Sequence, residues 1–256
     1  MQRLRRLSGR RAARHDDGAF VVEGPTLAAE ALAAGLTLEE AFATDEVDPA
    51  LVEALDAAGA RVHAIRPDVL AKNVDTVTPQ GLAVIARRFE VPVEVAVSAA
   101  AAGPLALVLV DIADPGNAGT LVRTAEAAGA AAVLFCGSSV DPGNGKCVRA
   151  SAGALFHLPV ASGGETVVVL DQRRERGVRT AATVVRGGRP YDRVDRTGPL
   201  ALVLGSEAHG LPEAVVAQVD EPLTIEMAGR SESLNVAMAG AVVCFEALRQ
   251  RRAEGS

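Results

Sequence analysis

Continuous apolar runs, rather than alternating ones, mark the second half of this chain. Residues 105–110 (LALVLV), 132–136 (AVLFC) and 200–204 (LALVL) carry no polar position, as expected of strands covered on both faces. Between and after them lie stretches with helical spacing at 120–128 (closing on Gly129), 147–155, 212–218 and 233–249. Further strands are expected at 178–184 and 223–227. Such alternation predicts a parallel sheet with helices on both faces. The first half is more finely divided. Strands are expected at 20–22, 39–44, 61–65 and 81–87, and helices at 26–34, 49–58 and 67–72, the first two ended by Gly35 and Gly59. This is the pattern of a small α/β sandwich over residues 1–95. The Ala- and Ser-rich stretch 91–103 (VPVEVAVSAAAAG) is expected as a linker into a second α/β domain at 103–256.

With 256 residues, 49% of them hydrophobic, the chain can bury a sizeable core without staples. Cys136, Cys147 and Cys244 contain no C-x-x-C pair and are expected as small apolar fillers in a reducing compartment. The N-terminus has charge but no apolar segment behind it, and no apolar stretch approaches membrane-spanning length. The expected location is therefore the cytoplasm. His15, His63, His157 and His209 are scattered without ligand spacing, so no metal is expected.

A net charge of −6 changes meaning once it is divided. Residues 1–14 hold Arg3, Arg5, Arg6, Arg10, Arg11 and Arg14 and no acid, leaving −12 for the rest. Two readings stand side by side: a phosphate-contacting arm, since the guanidinium fork suits phosphate, and a solvated helix end. Aromatic residues amount to six Phe, one Tyr and no Trp, which leaves little for a base-stacking platform. Recognition of a nucleic acid would rest on shape, phosphates and polar contacts.

Two familiar nucleotide motifs are absent. Around Gly145-Lys146 a phosphate loop fails at Val140 and at Cys147, and no G-x-G-x-x-G follows the run 105–110. Three other polar segments follow apolar strands: Asp114-Pro115-Gly116-Asn117-Ala118-Gly119-Thr120-Leu121-Val122-Arg123-Thr124, Leu204-Gly205-Ser206-Glu207-Ala208-His209-Gly210, and Ile225-Glu226-Met227-Ala228-Gly229-Arg230-Ser231-Glu232-Ser233-Leu234-Asn235-Val236-Ala237. In this order they resemble the three signature motifs of the SpoU (TrmH-like) branch of the SPOUT RNA methyltransferases. Gly18-Ala19-Phe20-Val21-Val22-Glu23-Gly24-Pro25 and Asp75-Thr76-Val77-Thr78-Pro79-Gln80-Gly81 resemble the L30e-like substrate-binding domain that often precedes such catalytic domains, although a plain turn before a strand explains the second nearly as well.

The resemblance implies a trefoil-knotted parallel-sheet domain, one of the exceptions to unknotted chains, and transfer of a methyl group from S-adenosylmethionine to a ribose 2′-hydroxyl. The implied substrate is structured RNA, ribosomal before transfer RNA; a non-catalytic RNA-binding, ribosome-associated factor and a Rossmann-like small-molecule enzyme are the alternatives. The implied catalytic residues are Arg123, Asn117, Glu207, Ser233 and Asn235. A guanidinium keeps its proton at any working pH, so Arg123 suits stabilisation of a developing oxyanion better than proton abstraction; a surface ion pair with Glu126 is the plain alternative. Asn117 can cap the following helix or orient Arg123, and Glu207 can hold Arg123 or the ribose. Leu204, Gly205, Ser206, Ile225, Met227 and Leu234 are the implied cofactor contacts, with Gly205 letting the backbone approach the adenosine closely. Ser206 and Ala208 depart from the family pattern, where Asn and Gly are usual. Lys146 and Arg149, with the N-terminal arginines, are the candidate RNA contacts. Finally, the last helix is apolar on both sides (Leu234, Met238, Ala241, Val242, Phe245 and Leu248 on one, Val236, Ala237, Ala239, Gly240, Val243 and Cys244 on the other). Such a helix is sandwiched within one chain or shared between two, and the family habit implies a homodimer.

Overall fold

A computed structural model of the chain describes residues 1–254. The first elements are α1 (Gln2–Gly9), α2 (Arg11–Asp17), β1 (Ala19–Glu23), α3 (Pro25–Ala33), β2 (Leu38–Ala43), α4 (Pro49–Ala57), β3 (Arg61–Ala64), α5 (Pro67–Ala71) and β4 (Leu82–Arg87). Next come α6 (Val93–Ala102), β5 (Leu105–Val110), α7 (Pro115–Ala127), β6 (Ala132–Cys136), α8 (Gly145–Ser151), β7 (Val160–Ser162) and α9 (Thr166–Arg174). The remainder is β8 (Arg179–Thr183), β9 (Arg189–Pro190), β10 (Leu200–Leu204), α10 (Glu213–Val216), β11 (Glu221–Thr224) and α11 (Val236–Glu254). These elements form two compact units, residues 1–89 with 141–157, and residues 90–140 with 158–254.

In the first unit a four-stranded sheet has the order β1-β4-β2-β3, with β4 antiparallel to β1 and β2 and β2 parallel to β3. Its expected strands and helices form within a residue or two of their expected limits. Helix α1 buries Leu4 and Leu7 in a cluster with Ala19, Val21, Phe42, Leu70, Ala83 and Ile85. The arginine-rich start is therefore a packed helix, and two of its arginines are spent inside the unit. Arg3 donates to Asp17 (2.7 Å), Glu39 (2.5 Å) and Glu40 (3.0 Å). Arg14 is buried, with Nε 2.6 Å from Asp141 and Nη1 donating to the Leu7 carbonyl at 2.8 Å. Neither is available to a phosphate, which corrects that part of the proposed arm; Arg5, Arg6, Arg10 and Arg11 remain exposed. The segment 141–157 adds Phe156, whose ring lies 6.1 Å from Phe20 and 6.0 Å from Phe89. Half of the phenylalanines are thus committed to this one cluster.

The second unit is a seven-stranded sheet in the order β7-β6-β5-β10-β8-β11-β9, and every pairing in it is parallel. Ala106, Val108 and Val110 of β5 share a core with Ala96, Val97 and Ala100 of α6 and Val169 and Leu170 of α9. On the other side α11 packs along α7. The stretch 91–103 is thus not a linker: it is a helix of the second unit with Ala96, Val97 and Ala100 fully buried. Its alanines are the best helix formers, but with only Glu94 and Ser98 polar the solvent face is weakly marked in the sequence. The strand at 160–162 and the helix at 166–174 were not expected from the sequence. The expected strand at 223–227 ends earlier, at Thr224, and the expected helix from 233 begins at Val236. The tetrapeptide Asp-Pro-Gly-Asn serves in two ways. At 114–117 its Asp caps a helix by accepting from Asn117 N, whereas at 141–144 its Asn does so by accepting from Lys146 N.

Candidate active site

Parallel strands leave their C-terminal ends on one edge, and a crevice forms there between the loops that follow neighbouring strands. In this sheet β5, β10, β8 and β11 are consecutive neighbours. The segments after them border a cleft of about 640 Å³ lined by Asn117, Thr183–Val185, Gly205–Gly210, Ile225, Met227 and Glu232–Val236, with Ala239. All three polar segments singled out in the sequence therefore converge on one site. Of the expected contacts, Asn117, Gly205, Ser206, Glu207, Ile225, Met227, Ser233, Leu234 and Asn235 line it. Thr183, Val184 and Val185 are additional walls. Nothing in their own sequence marks them; they follow from β8 sitting between β10 and β11.

Helix α7 begins earlier than expected, at Pro115, because Asp114 accepts from Asn117 N at 2.8 Å and proline suits the first helical position. Asn117 is thus inside the first turn and does not cap. Its side chain instead joins the three segments. Asn235 Nδ2 donates to Asn117 Oδ1 at 3.0 Å, and Asn117 Nδ2 donates to Glu207 Oε1 at 2.8 Å. The other oxygen of Glu207 accepts from Ala113 N at 3.4 Å. Asn235 also caps α11, its Oδ1 accepting from Ala237 N at 2.9 Å and Met238 N at 3.3 Å. Within its own chain Glu207 therefore holds Asn117 rather than Arg123.

Arg123 lies farther along α7, exposed, outside the residues that line the cleft of its own chain. No ion pair joins it to Glu126 among the described residues. Leu204, the last residue of β10, is fully buried, so its side chain is core and lies outside the cleft wall. Gly205 is needed for a reason closer to hand than adenosine. A Cβ there would lie 2.6 Å from the Gly210 carbonyl carbon and 2.7 Å from Leu211 N, because the loop folds back to pair Ser206 with Gly210. Within it Ser206 Oγ accepts from Ala208 N at 3.3 Å. The left-handed position falls on Gly210 (φ 68°), not on Ala208, so the departure from Gly at 208 costs no backbone strain.

The cysteines are free and buried, and desolvation pushes the Cys136 and Cys244 thiols up to about 12, as expected of inert fillers. Among the described residues no three His, Cys, Asp or Glu side chains gather to hold a metal ion, and no helix is long and apolar enough to cross a membrane. Of the basic residues on α8, Lys146 is exposed, while Arg149 Nη1 lies 3.2 Å from Glu23 Oε1.

The fold and site together define an α/β protein with a cleft at the carboxyl edge of a parallel sheet, walls of mixed apolar and polar residues, and a relay of two amides and a carboxylate at its mouth. Comparison with known proteins narrows this class. Residues 104–245 match the SpoU rRNA Methylase family and residues 1–84 the MRM3-like substrate binding domain. The chain is 32% identical over 228 residues, 88% of its length and 87% of the other, to the 23S rRNA (guanosine(2553)-2′-O)-methyltransferase RlmP of Bacillus subtilis. Among solved structures, the SpoU methyltransferase AviRb from Streptomyces viridochromogenes in complex with AdoMet matches with a TM-score of 0.86 and 26% identity, over 98% of each chain. The AdoMet-bound rRNA methyltransferase from Sinorhizobium meliloti matches with a TM-score of 0.85 and 29% identity, over 97% of this chain and 93% of that one. The protein belongs to the SpoU rRNA methylase family. It is an RNA methyltransferase whose methyl donor is S-adenosylmethionine.

Proposed function

We propose that the protein methylates a ribose 2′-hydroxyl of ribosomal RNA, of the 23S type on which its relative RlmP acts. The observation that carries this reading is the side-chain relay Asn235–Asn117–Glu207 at the mouth of the cleft. The residues present fit the methyl donor. The cleft lies within the ~300–1,000 Å³ of small-molecule sites, and Ile225, Met227, Leu234 and Val184 give it apolar walls suited to an adenine. S-adenosylmethionine supplies a methyl group already activated on a sulfonium.

The protein's part is then to place a weak nucleophile and to stabilise charge on its oxygen. Asn117 and Asn235 fix the loop geometry through each other. Glu207 takes the far end of that relay, leaving it in place to orient a ribose hydroxyl. Ser233, exposed in the cleft wall, has a hydroxyl free to turn toward the substrate. A guanidinium beside the 2′-oxygen would stabilise the oxyanion as its proton leaves to a substrate phosphate or water.

Arg123 is the residue for that task, and its position outside its own chain's cleft favours a homodimer in which it serves the partner's site. Helix α11 provides a surface for the pairing. Gly240, Val243, Cys244 and Ala247 are buried against the chain itself, whereas Met238 and Phe245 are 54% and 48% exposed on one stripe at i, i+7. The knotted path typical of the family and a cytoplasmic site of action belong to the same reading. It is tested by incubating the chain with S-adenosylmethionine and large-subunit ribosomal RNA, then mapping 2′-O-methyl nucleotides by their resistance to alkaline cleavage. One resistant position is the expected result; methylation of transfer RNA alone, or of a base, would replace the proposed substrate.

A further inference from the structure

The charges along the cleft of the second unit are one-sided. Glu207 and Glu232 belong to its wall, and among the described residues no lysine or arginine does. A crevice bearing one sign of charge concentrates ligands of the other sign. The two carboxylates are not equivalent. Glu207 is committed, one oxygen to Asn117 Nδ2 at 2.8 Å and the other to Ala113 N at 3.4 Å. Glu232, directly before Ser233 and Leu234 of the wall, is exposed. Its one charged partner among the described residues is Arg186 Nη2 at 3.8 Å, too far for a hydrogen bond.

Arg186 follows Val185 of the wall without being part of it. Its loop is seated tightly on β11. Thr224 Oγ1 donates to the Val184 carbonyl at 3.2 Å and accepts from Gly188 N at 3.0 Å. A Cβ on Gly188 would lie 2.7 Å from the Leu223 carbonyl carbon. The backbone that carries Arg186 is thereby kept at the rim, where the guanidinium sits beside Glu232.

This arrangement bears on a difference between the fresh and spent forms of the methyl carrier. S-adenosylmethionine has a sulfonium, an ammonium and a carboxylate, hence one net positive charge. Methyl transfer breaks the carbon–sulfur bond with its electron pair left on sulfur, forms a carbon–oxygen bond to the ribose, and sends the hydroxyl proton to a substrate phosphate or water. The spent carrier, S-adenosylhomocysteine, is therefore a thioether with no net charge. The two share their adenine and nearly their size, so apolar walls discriminate poorly between them; a charged wall discriminates by the difference itself.

We infer that Glu232 is the residue by which the protein distinguishes fresh donor from spent product, and that Arg186 sets the strength of this preference by competing for the same carboxylate. Like the reading on which it rests, this role requires S-adenosylmethionine in the cleft described above. The attraction acts on the donor and lapses once the sulfur is neutral, which favours exchange of product for the next donor. A unit charge ~6 Å away in water-like surroundings changes affinity roughly threefold, rising toward about tenfold as the ligand displaces water.

The test is calorimetry on the full chain at low ionic strength, because salt screens exposed charges, and at about pH 8, which leaves ordinary imidazoles neutral. The ligands are S-adenosylmethionine, S-adenosylhomocysteine and sinefungin, whose amine puts a positive charge in place of the sulfonium. Glu232→Gln is expected to weaken the two cationic ligands by about three- to tenfold and leave the neutral one unchanged. Arg186→Ala is expected to do the opposite, tightening the cationic pair by a similar factor with the neutral ligand again unchanged. A merely structural role would move all three ligands together. The two side chains are 83% and 82% exposed, and such a pair contributes little to stability, so both variants should melt with the wild type. Equal changes for all three ligands, no change in either variant, or weaker cationic binding in Arg186→Ala overturns the assignment. Donor binding that survives Leu234→Asp would instead place the carrier outside this cleft, which sinks the parent reading and this role with it.

Discussion

Asn117 Nδ2 donates to Glu207 Oε1 at 2.8 Å, across 90 residues of sequence. Because Asn235 donates to the other end of the same amide at 3.0 Å, the orientation of Asn117 is fixed from both sides. Replacing it breaks two contacts at once. Asn117→Ala is expected to lower kcat by ~10²-fold, in the range of a lost preorganised polar group, with affinity for S-adenosylmethionine changed little. Asn117→Ala combined with Glu207→Ala should cost far less than the product of the single losses, since residues acting as a unit are not additive. A multiplicative double mutant would show that the relay does not act as one device.

Arg123→Ala is expected to reduce methyl transfer by ~10²–10³-fold while calorimetric binding of the methyl donor is retained. Lys should rescue poorly, because a point charge lacks the bidentate fork. If the arginine serves the partner's cleft, mixing Arg123→Ala chains with Leu234→Asp chains should restore activity, since one site of each mixed dimer is then complete. No recovery on mixing would assign Arg123 to its own chain.

Gly205 and Leu234 separate two ways of losing the cofactor. Gly205→Val sets a branched side chain against the Gly210–Leu211 backbone and should disrupt the loop that carries Glu207, lowering the melting temperature as well as binding. Leu234 is 39% exposed, so Leu234→Asp should abolish binding by placing an unpaired carboxylate in the cleft and leave melting nearly unchanged. Wild-type binding in folded forms of both would move the cofactor out of this cleft.

The stripe on α11 gives the dimer a direct test. Met238→Glu with Phe245→Glu should halve the mass seen by light scattering at micromolar concentration and leave the helix folded. Gly240→Arg should behave differently. A Cβ at Gly240 would already lie 2.3 Å from Leu121 Cδ2, so this substitution unfolds the α7–α11 packing within one chain. An unaltered mass for the double Glu variant would exclude this surface.

Acid should strip stability from the same helix. Hydrogen bonds from Arg249 and Gln250 hold the Glu246 carboxyl at about 2, below its ordinary 4.5. The sign follows from that lowering: the contribution is complete above pH 4.5 and is lost as pH falls toward 2. Glu246→Gln should therefore flatten the pH dependence of the melting temperature in this window. An identical profile for the variant would place the acid sensitivity elsewhere, for instance at Asp17, which Arg3 also holds low.

The strands and the cleft were legible because apolar runs and Gly-rich polar turns act locally. What stayed hidden depends on partners distant in the chain. Arg14 reads as one of six similar arginines until its bond to Asp141 is seen. Val184 enters the site only because β8 lies between β10 and β11. The helix at 93–102 escaped because its run of small residues, with only Glu94 and Ser98 polar, gives a weak helical period.

The buried pair Arg14–Asp141 has a consequence for anyone cutting this gene. The first unit needs residues 141–157 as well as 1–89, so no single break in the chain yields two intact pieces. A fragment ending at Phe89 would lack Asp141, the carboxylate that pairs with the Arg14 guanidinium at 2.6 Å. A fragment beginning at Glu90 would keep Asp141 but lack Arg14. The familiar practice of expressing front and back modules separately therefore suits this protein poorly; swaps with relatives should carry the 141–157 cassette along with the front module.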